Sequence, residues 1–89
     1  MPEVGDRTDP ELLERLRRFP QQHVALIVTV DGDPHLYERA VQALGLTVRR
    51  TFGLTHQMAV EGAAHDFEAL GRESWVVKME EDKPVRAMG

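Results

Sequence analysis

The stretch His23–Val30, HVALIVTV, limits the possible folds more than any other part of the chain. Valine and threonine supply half of it, and such β-branched residues suit a pleated strand. Gln21-Gln22 precede it and Asp31-Gly32-Asp33-Pro34 follow it, so it is bounded on both sides by turn-forming or polar residues. Ala25 and Ile27 fall on one face, and Val24, Leu26, Val28 and Val30 on the other. A strand that is apolar on both faces belongs in the interior of a sheet, with a neighbour on each edge.

The residues that follow supply those neighbours. Asp33 with Pro34 reads as a helix cap followed by a first-turn proline. Leu36, Tyr37, Ala40, Val41 and Leu44 then form an apolar stripe, which Gly45 ends. Leu46–Phe52 alternates as a second strand, with Leu46, Val48 and Phe52 on one side and Thr47, Arg49 and Thr51 on the other. Arg50 interrupts the apolar face, and the two arginines suit an exposed sheet edge, where charge discourages stray pairing. Gly53 turns the chain into a third strand, Leu54–Glu61, with Met58 and Val60 directed at the core. A short helix from Ala63 to Leu70 turns Ala63, Phe67 and Leu70 inward and closes at Gly71. Trp75, Val76, Val77 and Met79 make the last strand. The resulting order, β-α-β-β-α-β, predicts an α+β ferredoxin-like sandwich: a four-stranded antiparallel sheet with two helices on one face. The other face stays open and is expected to be an apolar, partner-binding surface.

Residues 1–22 form an N-terminal extension ahead of this unit at 23–83. Within it, Leu12, Leu13, Leu16 and Phe19 recur at helical intervals until Pro20. Two starts are possible: Thr8 with Glu11 in a capping box, or Asp9 as cap with Pro10 in the first turn. The helix is expected to lie outside the main unit, as a lid over an open edge or core rim, or as a partner-binding helix.

Composition excludes several kinds of function. With 89 residues the chain makes one small domain. It has no cysteine, so disulfides and thiolate chemistry are out of reach. A net charge of −4 argues against nucleic-acid binding, and the clusters Arg15/Arg17/Arg18 and Arg49/Arg50 read as solvated surface. The longest apolar run, Val24–Val30, is far short of the roughly 20 residues needed to span a bilayer. The first residues do not resemble a secretory signal, which places the chain in the cytoplasm as written, or outside the cell if it is cut from a longer precursor. His23, His35, His56 and His65 fall into no metal-ligand spacing. No nucleophile elbow or phosphate-binding glycine loop occurs. The chain therefore reads as a non-enzyme without a cofactor.

The C-terminal stretch from Ser74 to Gly89 reads SWVVKMEEDKPVRAMG: a strand, the acids Glu80, Glu81 and Asp82, and a tail at 84–89. From Val24 to Met88 the chain resembles the propeptide domain of subtilisin-type serine proteases, the inhibitor I9 family. The segments ALIVTV, LYERAVQALG, GLTVRRTFGLTHQMAVEG, HDFEALG and VVKMEEDKPVRAM follow that family's order. Its last strand typically ends in Val-Glu-Glu-Asp, and here Met79 stands in place of the valine. The resemblance implies an inhibitor or folding chaperone of a subtilisin-like protease, with the open sheet face packed on two surface helices of the enzyme. It implies that the acids cap the N-termini of those helices, where free N–H groups and the dipole attract carboxylates. It also implies a tail lying in the substrate cleft, with Met88 in the main specificity pocket, Val85 in the apolar pocket three residues upstream, and Arg86 and Ala87 between them. Side chains alternate along an extended segment, so Glu80 and Asp82 should point one way and Glu81 the other. The alternative is a ferredoxin-like interaction or dimerisation module with no protease partner.

Overall fold

The computed structural model describes residues 8–82 of the 89. Helix α1 (Pro10–Arg18) leads into β1 (His23–Val30). A 3₁₀ turn (Pro34–Tyr37) runs into α2 (Glu38–Ala43), followed by β2 (Thr47–Phe52), β3 (Gln57–Ala63), α3 (Ala64–Leu70) and β4 (Val76–Glu81). The strands form one sheet in the order β2-β3-β1-β4, every neighbouring pair antiparallel. This is the ferredoxin-like arrangement. β1 lies inside the sheet, as its two apolar faces require, and the arginine-bearing β2 is an edge.

The core lies between the sheet and the helices. Leu26, Val28 and Val30 of β1, Met58 and Val60 of β3, and Val76 and Met79 of β4 meet Val41, Phe67 and Leu70 from α2 and α3. Leu12 and Leu16 of α1 are as deeply buried, at 3% and 1% exposure. The first helix is thus part of the core and not an appendage beside it. Of its two possible starts, the structure uses Asp9, whose carboxylate accepts the Glu11 amide at 3.0 Å. Gly45, at φ +92°, follows α2 in a left-handed conformation that favours glycine.

Three further expectations about the strands and helices change, and Ala64, not Ala63, is the buried residue that opens the third helix. The third strand begins at Gln57 rather than Leu54, because residues 53–56 form the hairpin loop. His56 sits there at φ 56°, its Nδ1 donating to the Gly32 carbonyl at 2.7 Å and its own carbonyl accepting from Val30 N at 2.8 Å. Leu54 is left fully in solvent. The second helix opens as a 3₁₀ turn, which takes Leu36 off the apolar stripe and leaves it exposed. The third change is a register shift between Val48 and Arg50 in β2. This bulge absorbs the extra arginine and reverses the alternation beyond it. Thr51 therefore lies on the helix side, donating to Glu38 Oε2 at 2.6 Å, and Phe52 lies opposite Gln57 on the other face.

Candidate partner-binding face and acidic strand end

The register arranges the open face in rows. Phe52, Gln57, Thr29 and Lys78 form one row, and Arg50, Ala59, Ile27 and Glu80 the next. A third runs Thr47, Glu61, Ala25 and Asp82, the last placed by its amide donating to the Ala25 carbonyl at 3.1 Å. Ile27, Ala59 and Ala25 make a small, low apolar patch on the two central strands, beside Gln57, Thr29 and Glu61 on the same strands, and both edge strands carry charge. The face is thus mixed rather than broadly apolar as expected. The bulge and the short side chains account for this, because they place Arg49 and Arg50 beside a small apolar strip.

Glu80 and Glu81 are the last two residues of β4 rather than a run after it, and only Asp82 follows the strand. Pairing with Ile27 puts Glu80 on the open face, with Lys78 Nζ 3.5 Å from its carboxylate. Glu81 pairs with Leu26 and points to the helix side, where Arg15 of α1 meets it at 2.9 Å. Asp82 returns to the open face. The three acids thus divide two against one, as strand alternation requires. Val85, Arg86, Ala87 and Met88 lie outside the described residues.

A second charged group occupies the same end of the face. Arg49 donates to Glu61 Oε2 at 2.7 Å, and His23 Nε2 lies 3.5 Å from the other oxygen. The Arg49 hydrogen bond holds the Glu61 carboxyl below its ordinary value, against a smaller opposing effect of burial. Glu61 in turn raises Arg49, and Asp82 adds to that across the row.

Two residues bear directly on the strand end through contacts that carried no signal in the sequence. Thr8 is buried, at 2% exposure, and its hydroxyl accepts the Met79 amide at 2.9 Å. Arg15 reaches Glu81 from the outer face of α1. Both pairs join positions more than sixty residues apart, and no local pattern reports such a contact.

The other histidines take separate partners. His35 Nδ1 lies 3.0 Å from Asp33, and His65 Nδ1 lies 3.1 Å from Asp66. Among the described residues no three His, Asp or Glu side chains come together to hold a metal ion. Tyr37 stacks on Trp75 with ring centroids 4.3 Å apart and donates its hydroxyl to Asp31 at 2.8 Å, fixing the loop after β1. The segment Arg18–Gln22, which joins α1 to β1, lines a shallow depression open to solvent. Among the described residues no helix is long and apolar enough to cross a membrane. Compared with known proteins, no protein-family model matches the chain, and no curated sequence does either.

Proposed function

We propose that this domain is a propeptide-like partner of a subtilisin-type serine protease, acting as an inhibitor or folding chaperone. The open sheet face lies against two helices on the protease surface. Glu80 and Asp82 meet their N-termini, and residues 84–89 follow the substrate cleft. The reading is supported above all by the division of the acids: Glu80 and Asp82 share the open face at the end of an edge strand, while Glu81 is turned away to Arg15. A helix N-terminus offers unpaired N–H groups and a positive dipole end, which two carboxylates on one face complement. The low strip of Ile27, Ala59 and Ala25 leaves room for a convex helical surface. In the proposed complex, backbone pairing of residues 84–89 supplies affinity and their alternating side chains supply specificity.

The test is a titration of a subtilisin with the purified chain, reading residual activity on a peptide substrate. Inhibition at or below micromolar domain is expected, and deletion of residues 84–89 should abolish it. A folded domain without effect at that concentration would remove subtilisin as a partner.

One observation favours the second reading. Arg49 and Arg50 lie on the β2 side of the face, and Glu80 and Asp82 on the β4 side. A two-fold axis parallel to the strands would set the basic side of one copy over the acidic side of another. Self-association that survives deletion of 84–89, without protease inhibition, would select that dimerisation module.

A further inference from the structure

We propose that Thr8 and Arg15 are positioning residues that hold the end of β4 and so fix the side to which Glu80 and Asp82 turn. The functional half of this proposal rests on the reading above, while its structural half stands on the contacts alone. β4 is an edge strand, held on one side by β1. The Asp82 amide turns inward to Ala25, so by strand alternation Met79 and Glu81 turn their amides outward. An outward amide on an edge normally faces water or a stray strand. Here the Thr8 hydroxyl accepts the Met79 amide in a buried setting.

Two turns along α1, Arg15 takes the Glu81 carboxylate. The strand end is therefore held from three directions: β1 through the backbone, Thr8 at the outer edge, and Arg15 on the helix side. Leu12 and Leu16, buried in the core, anchor the helix that carries Arg15 and follows Thr8. Fixing Glu81 on the helix side keeps Glu80 and Asp82 facing the other way. A segment ordered before binding loses less conformational freedom when it binds, which lengthens residence on the partner. The N-terminal segment thus acts on the partner through β4, without touching the partner itself.

The experiment uses the full chain with Thr8→Val, Thr8→Ser and Arg15→Met. Valine keeps the shape of threonine but cannot accept the Met79 amide, and serine keeps the hydroxyl. Thr8→Val should speed hydrogen exchange at the Met79 amide by about fivefold to tenfold, the size of one lost hydrogen bond, beyond any uniform change at β1 amides. Thr8→Ser should restore protection. Against subtilisin, Thr8→Val should raise the dissociation rate several-fold with little change in association, and Arg15→Met should do the same more weakly. A uniform loss of protection across the sheet, with nothing extra at Met79, overturns the proposal, since Thr8 would then only stabilise the fold. Local loss at Met79 with an unchanged dissociation rate overturns its functional half. A wild-type chain that does not inhibit overturns the protease reading and that half together, and leaves the exchange measurement to decide the structural half.

Discussion

Neutralising the two acids on the open face should separate them from the third. The perturbation is the double substitution Glu80→Gln with Asp82→Asn, compared with Glu81→Gln alone. Glu80 and Glu81 are both partly exposed, their side chains 48% and 37% accessible, so deep burial enters neither case. A carboxylate at a helix N-terminus in such a setting contributes about 0.3–1 kcal/mol. Two of them lost together weaken inhibition by about threefold to thirtyfold. Glu81→Gln loses only the contact with Arg15, itself 53% exposed, and such a pair contributes at most about 1 kcal/mol to stability. Its effect on inhibition should stay within about threefold, acting through the orientation of the strand end rather than through contact. The assay is an inhibition constant against subtilisin at low and high ionic strength, with a thermal melt of each variant. The difference between the variants should shrink with salt, because exposed charges are screened. Glu81→Gln as damaging as the double substitution, or a double substitution without effect, would refute the assignment of Glu80 and Asp82 to the partner.

Leu16→Ala removes a side chain that is 1% exposed and should cost about 2–5 kcal/mol of unfolding free energy by urea titration. A loss under about 1 kcal/mol would show that α1 is not part of the core. Stability should also fall in acid through Glu61, whose carboxyl Arg49 holds below the ordinary 4.5. A depressed folded pKa contributes stability that is complete above the unfolded value and is lost as pH drops from there through the folded value. Glu61→Gln should flatten that part of a stability-against-pH curve, and an unchanged acid limb would show that the pair with Arg49 does not contribute.

The order of the elements and most of the core were legible in the sequence. Apolar residues on both faces of His23–Val30 required an interior strand, and β1 is one. Met58, Val60, Phe67 and Leu70 could be assigned to the core because periodicity is local: it reports which side of an element is apolar. The same rule divided Glu80 and Asp82 from Glu81 before any contact was known. Only the tertiary structure could decide the rest. Phe52 left the core because a bulge beside Arg49 shifted the alternation, and bulge placement depends on how β2 pairs with β3 rather than on β2 alone. Leu36 left its stripe because the turn after Pro34 is 3₁₀. The role of α1 was hidden for the same reason, since an amphipathic helix states that it has an apolar face but not what covers it. Thr8 on Met79 and Arg15 on Glu81 join the two ends of the described chain, and contacts at that separation are set by packing, which no window of sequence contains.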